Sequence, residues 1–328
     1  MSDRVGKDSQ KVRIHYRKTE NGVEIVRCFG SDSHVEIPGE IQGMPVVRAA
    51  AYAFSARKDK EEEDVLVYEA EESRLFRQQE VLLAGDSVES IVFPDSMEKI
   101  GRYIFYGCQN LRELHFSDSL TDVGSGAFTG CRALERLSVR LLKGERSSVP
   151  EILGDLWQRI DVVFLREAGE ARLVFPEHYE EAVENTPARI LFTQHHGSGN
   201  NYRQCFYNKE MDYRKYDDLF AVARAWDDTD VLADLIFSRL LYPVELAQGA
   251  RDAYEAYVKE HGAKISCHLV DTDNMEALRA MSGRDLWTEQ TLGGTVDYAA
   301  RTGKREALSF LMNEKQRIFP AKKGKYEL

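Results

Sequence analysis

A chain of 328 residues, 43% hydrophobic and 30% charged, has the length of two domains and the make-up of a folded soluble protein. Its formal net charge of -11 repels phosphate backbones and sets nucleic acid aside as the main partner. No apolar run approaches the roughly 20 residues of a membrane helix, so the bilayer is set aside as well.

The opening residues, MSDRVGKDSQ, are polar and lack the apolar core of a secretory signal, so a cytoplasmic protein is expected. Cys28, Cys108, Cys131, Cys205 and Cys267 are odd in number and scattered, which fits reduced thiols better than a disulfide framework. In VRIHYRKTENGVEIVRC, Asn21-Gly22 lies between two alternating apolar runs. That pattern predicts a hairpin, expected to cap whatever stacks behind it. After VEIPGEIQGMPVVRAAAYAF at 35–54 comes an insertion over 55–87, whose charged run RKDKEEED is expected to be a solvated loop.

From residue 88 the chain repeats. VESIVFPDSMEKIGRYIFYGCQNL occupies 88–111, LRELHFSDSLTDVGSGAFTGCRAL occupies 111–134, and LERLSV begins a third copy. Each anchor recurs after 23 residues: Ile91, Leu114 and Leu137; Ile100 and Val123; Gly101 and Gly124; Phe105 and Phe128; Cys108 and Cys131. Strand alternation puts residues 91, 93, 114, 116, 137 and 139 on a buried face. Pro94, or Ser117 at the same place, ends the strand. Gly101 and Gly124 read as turn residues needing positive φ. Phe105 and Phe128 are expected inside the coil, and the two cysteines in a tight inward corner. One such repeat cannot bury its own apolar face, but stacking at roughly 4.8 Å per rung does, which predicts a solenoid. Residues 35–54 are an imperfect earlier copy, in which Ile37-Pro38 matches Phe93-Pro94 and Phe54 matches Phe105. Five extra residues, including the Gly43-Met44-Pro45 turn, intervene.

The order of strand, Ile-Pro or Phe-Pro, turn, Ile-Gly, aromatic anchor, Gly-Cys and Leu is similar to the BspA-like class of bacterial leucine-rich repeats. The stretch 37–46, IPGEIQGMPV, resembles the usual opening repeat of that class. The resemblance covers about residues 12–140. Members are mostly described as surface adhesion or interaction proteins, so it implies a protein partner.

Beyond residue 140 the register is lost. VPEILGDLWQRI predicts a helix, and DVVFL and ARLVF predict strands that would close the solenoid. Residues 176–212 read as a connecting unit with a helix, a turn and a glycine loop. From 213 the apolar spacing turns helical. Three segments look related: WDDTDVLADLI (226–236), VDTDNMEALRAM (270–281) and ARTGKREALSFLM (300–312). The last resembles an ankyrin helix pair, with Ala299, Gly303, Glu306 and Leu311 in place, although Gly294-Thr295-Val296-Asp297 replaces that repeat's Thr-Pro-Leu-His start. The expected fold is α+β: a leucine-rich-repeat solenoid with its capping hairpin over 1–175, the connecting unit at 176–212, and an all-α, ankyrin-like array of helical hairpins over 213–328.

For chemistry, His195, His196, Ser198 and Cys205 lie close in sequence, but no local signature of a nucleophile site accompanies them. A pocket bringing either histidine to Cys205 or a carboxylate would favour an enzyme or regulator centred on 176–215. Paired metal ligands two to four residues apart are missing around Cys205, Cys267 and His268, and no glycine pair has phosphate-loop spacing, so neither metal nor cofactor is expected. Tyr202, Tyr207, Tyr213 and Tyr216 read as core at a domain junction. The expectation is a monomeric protein-interaction module without catalytic residues. Its docking face would be the solvent side of the strands, in two columns: Ser90, Glu113 and Arg136; and Val92, His115 and Ser138.

Overall fold

A computed structural model of the chain describes residues 12–57, 64–69, 81–185 and 190–320. The chain forms two compact units, 1–212 and 213–328. The charged run at 58–63 lies outside the described residues.

In the first unit the strands are β1 (Arg13–Thr19), β2 (Gly22–Gly30), β3 (His34–Glu36), β4 (Glu40–Ile41), β5 (Met44–Ala49), β6 (Leu66–Glu69), β7 (Val81–Leu82), β8 (Ser90–Val92), β9 (Lys99–Ile100), β10 (Glu113–Ser117), β11 (Asp122–Val123) and β12 (Arg136–Arg140). Helix α1 (Val149–Gly154), β13 (Ile160–Arg166) and β14 (Gly169–Phe175) follow. After them come β15 (Tyr179–Asn185), β16 (Ile190–His196), helix α2 (Gly199–Tyr202), β17 (Phe206–Tyr207) and β18 (Glu210–Met211).

Two ladders run through the stacked rungs. One has the order β14-β13-β12-β10-β8-β3, parallel except where β14 turns back on β13. The other joins β11, β9, β5, β2, β1 and β6. The β1–β2 hairpin thus continues the second ladder through β2, which pairs in parallel with β5. The five extra residues of the first repeat form the tight β4–β5 hairpin, with Gln42 and Gly43 at positive φ. The described ends of the insertion 55–87 carry two short strands. There β6 pairs with β1 and β7 with β2, which satisfies backbone groups the hairpin would leave at its edges.

The 23-residue register is the register of the ladder: Leu114 lies opposite Ile91 on one side and Leu137 on the other. All six predicted inward residues, Ile91, Phe93, Leu114, Phe116, Leu137 and Val139, are at most 1% exposed. Behind them the rings of Phe54, Phe105 and Phe128 follow one another at 5.5 Å between centroids. Each corner thiol donates to a phenylalanine carbonyl one rung back: Cys108 to Phe54 at 3.2 Å and Cys131 to Phe105 at 3.3 Å. Burial pushes the Cys108 thiol up to about 12 and that of Cys131 higher still, so both are neutral.

Gly101 and Gly124 correct the expectation of positive φ, which neither has. A Cβ on Gly101 would lie 2.3 Å from the Ala51 nitrogen, and one on Gly124 2.3 Å from the Arg102 nitrogen. Consecutive backbones touch at this point, and only a hydrogen fits between them. The left-handed positions of the repeat are Tyr103 and Gly126, then Gly107 and Gly130.

Between 140 and 175 the expected helix and two strands form, but α1 ends at Gly154, so Trp157 stands outside it. The stretch 176–212 differs from its reading as a connecting unit. It lies within the first compact unit, and in place of a leading helix it makes the β15–β16 hairpin.

The second unit comprises α3 (Tyr213–Asp218), α4 (Phe220–Trp226), α5 (Thr229–Leu241), α6 (Gln248–Glu260), α7 (Gly262–Asp271), α8 (Met275–Gly283), α9 (Glu289–Thr302) and α10 (Arg305–Ile318), with no strand among its described residues. Helix α7 packs against both α5 and α9. Two of the three related segments are equivalent, 30 residues apart. Asp273 (φ 53°) and Gly303 (φ 73°) hold the same left-handed position. Asn274 N–H then returns to the Leu269 carbonyl as Lys304 N–H does to that of Ala299. Met281 and Leu311 are fully buried alike. The segment 226–236 differs, because Asp228 caps α5 in extended backbone and no left-handed residue precedes the helix. At the centre of this unit Arg239 and Asp217 form a buried pair through 2.7 and 2.8 Å hydrogen bonds, and the Tyr254 hydroxyl donates to the same carboxylate.

Candidate functional site

Strand alternation that buries 91, 114 and 137 turns their neighbours outward, and parallel pairing lines those neighbours up. One column runs His34, Ser90, Glu113, Arg136, Asp161, and the other Glu36, Val92, His115, Ser138, Val163. Both columns extend beyond the three predicted rungs. Ser90 is the exception to the expected exposure, at 6%. Its short side chain lies in register between His34 and Glu113, whose longer side chains flank it. The rest of the face is at least partly exposed, and Glu36, Glu113, Arg136 and Asp161 give it charge. The Glu113 carboxylate meets Arg136 Nη1 at 2.9 Å and His115 Nε2 at 3.3 Å, which ties all three predicted contact residues into one cluster. Where the strands begin, a cavity of about 560 Å³ opens, lined by Arg112, Arg132, Arg136 and Arg159 together with Glu135 and Asp161. The face therefore offers mixed charge on a rigid ladder.

The histidine stretch lies on the β15–β16 hairpin. His195 Nδ1 is 3.3 Å from Glu180, its cross-strand neighbour, and His196 Nε2 is 3.4 Å from Glu181. Both histidines thus lie near carboxylates, but His196 Nε2 makes no hydrogen bond among the described residues. Ser198 and Cys205 are buried, and the Cys205 thiol points to the Asn201 carbonyl at 3.9 Å. Cys267 and His268 lie on α7, where His268 Nε2 pairs with Asp234 at 2.8 Å. Among the described residues no group of three or more His, Cys, Asp or Glu side chains is placed to hold a metal ion. Of the four tyrosines read as core, Tyr202, Tyr213 and Tyr216 are buried, whereas Tyr207 is 82% exposed beside a two-residue hairpin turn.

A second cavity, of about 530 Å³, is lined by Trp157, His178, Tyr179 and Glu180. None of these was singled out in the sequence, because Trp157 sat inside an expected helix and 178–180 in another. What holds the cavity is Arg203, whose guanidinium donates to the carbonyls of Leu153, Leu156, Gln158, Pro176 and Gly199. Burial lowers Arg203 to about 10, leaving it a cation at neutral pH. Burial, then the Arg203 charge, lowers His178 as well, so its ring stays neutral.

With these features in view, the class is clear: the first unit is a leucine-rich-repeat solenoid. Residues 80–144 match the family described as "BspA type Leucine rich repeat region (6 copies)", so the repeats of that segment are of the BspA type. Two solved structures are similar to part of the chain. One is a leucine rich cell surface protein from Faecalibacterium prausnitzii, 18% identical with a TM-score of 0.26 over 45% of this chain and 32% of that one. The other is a T. pallidum Leucine Rich Repeat protein, 23% identical with a TM-score of 0.20 over 42% of this chain and 73% of that one. This chain therefore spans about a third of the F. prausnitzii protein. No curated protein matches.

Proposed function

We propose that the chain is a protein-interaction module whose first unit docks a protein partner on the outward columns of its ladder, around Glu113, His115 and Arg136. The observation that carries this reading is the contrast along each strand. The inward residues are apolar in every rung, while the outward ones change from Ser90 to Glu113 to Arg136 and from Val92 to His115 to Ser138. Packing constrains the first set, and the second is left to recognition, as in repeat arrays generally. The second unit is read as ankyrin-like helix pairs, supported by the repeated left-handed turn at Asp273 and Gly303 and the buried Ala299 and Leu311. Five free cysteines support a reducing cytoplasm, and the chain is taken to act as a monomer.

The test is affinity capture from the source cell, followed by mass spectrometry. A Glu113→Ala, His115→Ala, Arg136→Ala variant, folded as judged by circular dichroism, is expected to lose the captured protein. Equal recovery by the variant moves the docking site elsewhere. An enzyme centred on 176–215 is the second reading, supported by the His195–Glu180 pair and weakened by the burial of Ser198 and Cys205. Any turnover lost on His195→Ala would favour it.

A further inference from the structure

Large aromatic side chains are normally buried because they cover so much area, so a rigidly held, half-exposed tryptophan needs a reason. Trp157 is 52% exposed. Its backbone is clamped on both sides. Arg203 binds the carbonyls of Leu156 and Gln158, and the Trp157 carbonyl accepts the His178 N–H at 2.9 Å. The same guanidinium binds Pro176 O at 2.6 Å, which sets the start of the strand carrying Tyr179 and Glu180. Tyr179, 47% exposed, is backed on one face by the His196 ring at 4.4 Å and 10°. Between these aromatics lies the 530 Å³ cavity.

We infer that this cavity is a receptor for the guanidinium of an arginine presented by the protein partner. The inference rests on the interaction-module reading and names the chemistry of one anchor. Trp157 and Tyr179 supply ring faces, on which a flat, weakly hydrated guanidinium stacks. Glu180, which already meets His195 Nδ1 at 3.3 Å, supplies the carboxylate that a guanidinium fork matches. The His178 ring, kept neutral by burial and by the nearby Arg203 charge, brings no repulsion. Opposing this, Arg203 contributes one positive charge nearby. That charge is taken up by five backbone carbonyl oxygens. The net charge of -11 attracts basic segments from a distance. Arginine is also among the residues that most often anchor protein interfaces.

The test uses the full chain and Nα-acetylarginine amide as probe, followed through the indole N–H resonance of Trp157, assigned by its loss in Trp157→Phe. A saturable shift is expected with the arginine probe and none with Nα-acetylcitrulline amide, its neutral counterpart. Glu180→Gln, an exposed change that leaves the fold alone, is expected to weaken the probe about fivefold or more. No shift with arginine, an equal shift with citrulline, or a shift with methyl glucoside alone overturns the proposal. The Glu113, His115, Arg136 triple variant is expected to bind the probe normally. Failure here therefore leaves the ladder-face reading standing, and failure of the capture experiment leaves this one standing.

Discussion

Gly124 in the first unit and Gly303 in the second are both repeated positions, and they are glycine for opposite reasons. At Gly124 φ is ordinary, but a Cβ would lie 2.3 Å from the Arg102 nitrogen of the preceding rung. At Gly303 φ is 73° and a Cβ would meet nothing within 4 Å. The strand ladder is limited by how closely two backbones approach. The helical pair is limited by the dihedral its turn requires. That explains why the equivalent of Gly303 is allowed to be Asp273, an aspartate that tolerates left-handed backbone at modest cost. No side chain is tolerated at Gly124 on those terms.

The comparison is broken most directly in the core of the ladder. Phe128→Ala empties a site stacked on Phe105 and is expected to cost about 3–5 kcal/mol in chemical denaturation. A loss under about 1 kcal/mol would mean that the ring contributes little to a packed interior. Next come the two glycines. Gly124→Ala forces backbone against backbone and is expected to cost about 2–3 kcal/mol. Gly303→Ala adds only left-handed strain, about 1 kcal/mol. Equal losses would remove the distinction between close approach and dihedral.

Much of the ladder was legible because its physics is local. An alternating strand, an aromatic plug and a corner thiol, each recurring at 23 residues, specify both which face is buried and which residues pair. The role of Gly101 and Gly124 was not legible, since a glycine looks the same whether it avoids a clash or adopts positive φ. Ser90 was misjudged because its burial comes from longer neighbours on adjacent rungs, not from its own strand. The aromatic cavity was hidden for a deeper reason. Arg203 draws together carbonyls at 153, 156, 158, 176 and 199, and carbonyls leave no trace in a sequence. The histidines were visible, but their carboxylate neighbours depended on the β15–β16 pairing, and YEEAVEN does not alternate as a strand should.

The smallest effect expected is also the most discriminating, because its sign is opposite to the others. If Asp273 occupies the turn position that Gly303 occupies 30 residues later, then Asp273→Gly relieves left-handed strain and stabilises the second unit. The gain is offset in two ways. Glycine gives the unfolded chain more freedom, a cost of several tenths of a kcal/mol. The Asp273 carboxylate also loses its 2.7 Å contact with Lys304 Nζ, but with the aspartate side chain 71% exposed such a pair contributes only a few tenths. Left-handed strain for a non-glycine residue is about 1–2 kcal/mol, less for aspartate, so a net gain near 0.5 kcal/mol is expected. Lys304→Ala separates the terms, because in that background the ion pair is already gone and Asp273→Gly is expected to gain more. A destabilisation by Asp273→Gly in both backgrounds would show that the two turns are not equivalent, and the second unit would lose its claim to be built from repeats.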